Sequence, residues 1–121
     1  MNKTNTFGKP IYTYSDKQAV ADGFLLDLFE ADPRWKKGIF RFVTINLLEQ
    51  KGYLTGEKLN YPNLVDLLNQ ATQLVKRNSN NFKDFDTFFS GSIEFPSGRK
   101  GKIFIAQNGT GKFTIMLPED N

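Results

Sequence analysis

The feature that most narrows what this chain can fold into is a change of period near residue 80. From Asn63 to Arg77 apolar side chains recur at helical spacing, through Leu64, Leu67, Leu68, Ala71, Leu74 and Val75. Asn63 is placed to cap that helix, Asp66 to complement its dipole, and Lys76 and Arg77 to lie against its last carbonyls. Beyond Asn78-Ser79-Asn80-Asn81 the pattern turns strand-like in three runs, 85–95, 102–107 and 112–117. Pro96-Ser97-Gly98-Arg99-Lys100-Gly101 parts the first two runs. Asn108-Gly109-Thr110-Gly111 parts the last two, and Asn-Gly between apolar strands signals a hairpin. A chain that ends this way is expected to be α+β, with three or so short helices packed on a C-terminal antiparallel three-stranded meander. Apolar residues on both faces of the later strands require a helical cover on at least one, and Gly91 within the first run suggests a bulge or bend.

The N-terminal half adds one or two short strands. Residues 1–10 read as a loose polar lead, and Ile11 to Tyr14 as a short extended piece. Ser15 is a helix cap with Gln18 at the capping-box position, so 16–22 is expected to be helical until Gly23 stops it. Phe24-Leu25-Leu26-Asp27-Leu28 reads as a buried strand that Asp27 interrupts. Phe29 to Gly38, with Pro33 and several charges, reads as a loop holding Trp35 at or near the surface. Ile39 to Val43 alternates as a strand, and Thr44 caps a helix that ends near Lys51 with Gly52 as its stop. At 121 residues, one domain spanning 1–121 is the expectation.

Composition removes much chemistry. There is no cysteine and no histidine, so disulfides, thiol nucleophiles, imidazole bases and Cys/His zinc sites are out of reach. No cofactor and no metal site is expected. With 39% apolar and 24% charged residues the chain has the make-up of a folded domain, and twelve phenylalanines raise its aromatic share. The apolar runs are too short for a membrane span, and Met1-Asn2-Lys3-Thr4-Asn5-Thr6 lacks a signal-peptide core, so a cytoplasmic protein is expected.

The net charge of +3 is unevenly placed. Arg99, Lys100, Lys102 and Lys112 fall in a stretch, 97–116, that has no acid. Trp35 with Lys36 and Lys37 joins a large aromatic to cations, which suits an interface anchor or base stacking with phosphate contact. These six residues, Trp35, Lys36, Lys37, Arg99, Lys100 and Lys102, are the candidate partner-binding set. Gly109-Thr110-Gly111-Lys112 fails as a phosphate loop, because Ala106 holds the first glycine position and Phe113 follows the lysine. Asp22, Asp27, Glu30 and Asp32 form the densest acidic segment, open to metal ligation or to simple local bonding. Phe82, Phe85, Phe88, Phe89 and Phe95 form a core stripe, of which any exposed subset would mark a partner surface.

Two stretches carry a resemblance. Tyr14 to Asp27, with Gln18, Ala19, Asp22, Gly23, Leu25 and Asp27 in Ser-x-x-Gln-Ala-x-x-Asp-Gly-x-Leu-x-Asp, and the ending Ile115-Met116-Leu117-Pro118-Glu119-Asp120, resemble a small family of unknown function carried by bacteriophages, plasmids and integrative elements. Arg34 to Gly38 lies outside these motifs. The resemblance implies an accessory protein of a mobile element and assigns no catalytic residue. The expected function is therefore non-enzymatic binding, in the form of antagonism of a host defence system, as an anti-CRISPR-type inhibitor acts, through a host protein. The alternatives are a nucleic-acid or nucleotide binder that uses the basic hairpin and the tryptophan loop, and a carboxylate-metal-dependent hydrolase.

Overall fold

The computed structural model describes residues 16–79, 88–107 and 111–120. The Ser15 cap, the lead 1–10, the piece 11–14, Phe82, Phe85 and the Asn108-Gly109-Thr110 turn lie outside them.

Helix α1, Asp16–Ala21, ends in a Schellman motif: Gly23, at φ 81°, donates to Val20 O at 3.1 Å, and Phe24 donates to Ala19 O at 2.9 Å. Only glycine adopts that φ without strain. Strand β1, Leu25–Asp27, follows and pairs antiparallel with β2, Phe40–Thr44. Between them the expected loop is in fact two short helical pieces, α2 at Leu28–Ala31 and a 3-10 turn at Pro33–Lys37. Each is begun by an aspartate, which is why the charges of this segment did not leave it irregular.

Thr44 ends β2 and caps α3, Ile45–Gln50, accepting from Leu47 N at 3.3 Å. A hairpin that the apolar spacing does not reveal, β3 at Leu54–Thr55 and β4 at Lys58–Leu59, turns at Gly56. Helix α4, Tyr61–Ser79, begins three residues before Leu64, the first of its apolar stripe. The cap is Asn60, whose side-chain oxygen accepts from Asn63 N at 3.1 Å, and not Asn63. Pro62 is tolerated there because a first-turn N–H has no helical partner to lose.

Strands β5, Phe88–Glu94, β6, Lys100–Gln107, and β7, Phe113–Met116, pair antiparallel in succession. The main sheet is mixed and five-stranded, in the order β1-β2-β7-β6-β5, because β2 lies parallel to β7. The parallel register slips between Phe40 and Phe42, leaving Arg41 as the extra residue, so Phe42 and Thr114 share one face while Val43 and Ile115 share the other. A final 3-10 turn, Pro118–Asp120, docks on the start of α3: Asp120 accepts from Thr44 Oγ1 at 2.7 Å, Asn46 Nδ2 at 3.0 Å and Leu117 N at 3.0 Å.

One sheet face and α4 enclose the larger core, with Leu64, Leu67, Ala71 and Leu74 set against Phe89, Ile93, Ile103, Ile105 and Ile115. On the other face α1 covers the β1–β2 corner through Ala19, Leu25 and Phe42. Gly91 makes no bulge, since the β5–β6 register runs unbroken. It is a contact glycine: a Cβ there would lie 2.5 Å from Leu74 Cδ2.

Candidate functional site

The tryptophan turn is built from two aspartates in series. Asp27 closes β1 and caps α2, its Oδ1 accepting from Phe29 N at 3.0 Å. Its carboxylate, buried at 6% exposure, also takes Arg41 Nε at 3.4 Å and Nη2 at 3.2 Å. Residual positive charge on that guanidinium rests 4.6 Å from the Phe29 centroid and 5.3 Å from that of Phe42. Asp32 repeats the device one turn later. It accepts from Arg34 N at 3.0 Å and grips the Arg34 guanidinium at 2.7 to 3.2 Å, and these bonds hold the Asp32 carboxyl below its ordinary range. Pro33, at the first position, pre-sets the turn that delivers Trp35.

Trp35 is half-buried and stacks on Tyr61 of α4, with centroids 5.7 Å apart and planes at 30°. Such a pair contributes about 0.5–1.5 kcal/mol beyond its area. Tyr61 Oη donates to Ala31 O at 2.7 Å, so the first turn of α4 clasps the end of α2. Beside this stack opens a cleft of about 170 Å³, floored by Leu28 and Phe40 and walled by Trp35, Ile39, Val65 and Leu68, with Asn69 and Thr72 at its polar end. Its apolar lining reaches water at Ile39, 38% exposed, and Val65, 43%, and Tyr61, stacked on the Trp35 that lines it, is 39% exposed. Arg34, Lys36 and Lys37 are exposed around the turn. Lys112 arrives from the other half of the chain, donating to Gly38 O at 2.6 Å and to Lys36 O at 3.5 Å.

Of the six partner-binding candidates, Trp35, Lys36 and Lys37 thus share one surface. Arg99, Lys100 and Lys102 do not join it. Phe40, next to the turn, pairs with Phe113, which pairs with Gln107 at the far end of β6. Lys102 is five strand residues from that level, about 17 Å at 3.3 Å per residue, so the two basic groups occupy opposite ends of the sheet. Lys112 is the one cation of the acid-free stretch that reaches the tryptophan turn, a partnership that only the parallel β2–β7 pairing creates. Sequence reasoning missed Val65 and Ile39 as cleft residues and Tyr61 as the ring that Trp35 stacks on. The signal was faint, an apolar Val65 adding a second stripe beside Leu68 on a helix whose main stripe already accounted for the core.

The motif positions have structural occupations. Gln18 Nε2 donates to Asp22 Oδ1 at 3.0 Å, Gly23 stops α1, Leu25 is buried, and Asp27 caps and pairs as described. Asp22 and Glu30 are exposed. Among the described residues no three acidic groups converge as a metal site, and no helix is long and apolar enough to cross a membrane. Comparison with protein-family models, with curated proteins and with solved structures finds no match.

Proposed function

We propose that this chain is a non-enzymatic binding protein that holds a partner protein at the Trp35–Tyr61 cleft. The observation that carries the reading is a half-buried tryptophan set between exposed apolar side chains, with Ile39 and Val65 lining the cleft beside it and Tyr61 stacked on its ring. Large apolar side chains grouped around a concavity on one face mark contact surfaces, and tryptophan and tyrosine dominate the energetics of such contacts. The cations Arg34, Lys36 and Lys37 surround this apolar centre, an arrangement that favours a partner with an apolar anchor flanked by carboxylates.

The biological setting rests on the resemblance of both chain ends to proteins of mobile elements. In that setting the partner is a component of a host defence system, met in the bacterial cytoplasm, and the chain acts as its antagonist. The nucleic-acid alternative has less support, because Arg99, Lys100 and Lys102 lie too far from Trp35 to continue one phosphate track. The hydrolase alternative would need Asp27 and Asp32 to leave the N-caps and arginine pairs that occupy them.

Affinity capture from host cytosol tests the reading. The wild-type chain is expected to recover one host protein at near-stoichiometric yield, and Trp35→Ala to lower its affinity by about 30-fold or more, the scale of an interface hot spot of about 2 kcal/mol. Retention of the same protein by Trp35→Ala would refute the cleft as its site.

A further inference from the structure

Strand β5 is the outer strand of the five-stranded sheet among the described residues. It carries Phe88-Phe89-Ser90-Gly91-Ser92-Ile93-Glu94, with no proline, no lysine and no register shift, so apart from Glu94 at its end the strand itself has none of the sequence devices that blunt a sheet edge. The direction of its peptide groups can be read from its two ends. Phe95 N donates inward to Arg99 O at 2.8 Å, across the hairpin. Glu94, one residue earlier, points both peptide groups outward, where the Gln70 carboxamide takes them: Glu94 N donates to Gln70 Oε1 at 2.9 Å and Gln70 Nε2 donates to Glu94 O at 2.8 Å. Antiparallel alternation then turns the N–H and C=O of Ser92, Ser90 and Phe88 outward as well. Gln70 occupies the edge as a neighbouring strand would, but for one residue only. The three residues that remain are exposed.

We propose that this edge, at Phe88, Ser90 and Ser92, is a β-augmentation site that takes one extended acidic peptide strand from a partner protein. A second copy of this chain does not fit. Leu74 sits on Gly91 and Gln70 on Glu94, so α4 lies directly over β5. Two-fold pairing of β5 with its copy would set the strands about 4.8 Å apart and bring two α4 helices onto the same face, where helices need 8–10 Å. A lone strand carries no such helix. The charge around the edge selects its composition. At 100° per residue Gln73 and Arg77 share the flank of α4 that Gln70 extends over the edge, with Arg77 Nε donating to Gln73 O at 3.5 Å, while on the open face Lys102 is the β6 partner of Ser92, and Lys100 faces Glu94 outside the window. Glu94 and Asp66 lie at the hairpin end, beyond the three-residue window. Alternate side chains of the peptide would therefore meet a cation on either face. This proposal is independent of the Trp35 cleft.

Ser90→Pro provides the test, because the lost N–H faces outward and the β5–β6 ladder keeps its bonds. Ser92→Pro is the equivalent change one pair along, and Gln70→Ala frees Glu94 and lengthens the edge. A displayed library of random nine-residue peptides is selected on the wild-type chain. The enriched peptides are expected to be rich in Asp and Glu, and to protect the amides of Phe88, Ser90 and Ser92 from hydrogen exchange. They should bind either proline variant at least about tenfold more weakly, and Gln70→Ala more tightly. If Ser90→Pro fails to fold, Ser92→Pro and the amide protection decide. The proposal is overturned if nothing is enriched, if the peptides bind the folded proline variants as they bind wild type, or if Trp35→Ala weakens them instead. It is equally overturned by a dimer that the proline variants abolish, or by a single-stranded oligonucleotide that protects those three amides in place of the peptides.

Discussion

Asp27 shows how much one side chain settles in a chain without histidine or cysteine. As a residue type it was open to metal ligation or to local bonding. Its surroundings choose the last, with an N-cap on one oxygen and Arg41 across both. Truncating a group with so many partners would report folding before function. Tyr53 is the opposite case. It is fully buried, burial pushes its phenol well above the usual range, and its Oη has no hydrogen-bond partner among the described residues. An unpaired buried hydroxyl costs free energy that phenylalanine would not. Tyr53→Phe is therefore expected to leave stability unchanged or to raise it by about 1 kcal/mol in urea unfolding. A loss of more than about 1 kcal/mol would mean that the hydroxyl is satisfied in solution.

At the scale of elements, the parts of the fold legible in the sequence are those set by local chemistry. The stop at Gly23, the Thr44 cap and the apolar stripe of α4 each depend on residues within one turn, and each can be read directly. The parallel β2–β7 pairing could not be read, because nothing local distinguishes a parallel neighbour from an antiparallel one. The short pieces α2 and Pro33–Lys37 were hidden by charges that turn out to be their caps. Gly91 was misread for a related reason: a glycine within a strand signals either a bulge or a close approach, and the choice lies with a helix 17 residues away in sequence, at Leu74. Gly91→Ala puts a methyl 2.5 Å from Leu74 Cδ2. Overpacking of this kind costs about 1–3 kcal/mol, to be read as a lower urea midpoint at unchanged m-value. An unaltered midpoint would show that α4 yields without penalty.

At the scale of the whole molecule, chain topology decides which charges act together. The parallel pairing carries Lys112 to the tryptophan turn and leaves Arg99, Lys100 and Lys102 at the other end of the sheet. The cleft was only partly legible: Trp35 and its cations stood out, whereas Ile39 and Val65 became its lining, and Tyr61 the ring stacked on Trp35, only once α4 had been laid beside the turn. The central claim is that the partner seats in this cleft. Trp35 is the sole tryptophan, so the chain labelled with 5-fluorotryptophan gives a single fluorine resonance. Titration with the captured, unlabelled host protein is predicted to move that resonance to saturation at one equivalent and to shield it from a soluble paramagnetic agent. Binding that leaves the resonance and its solvent exposure unchanged would contradict the account.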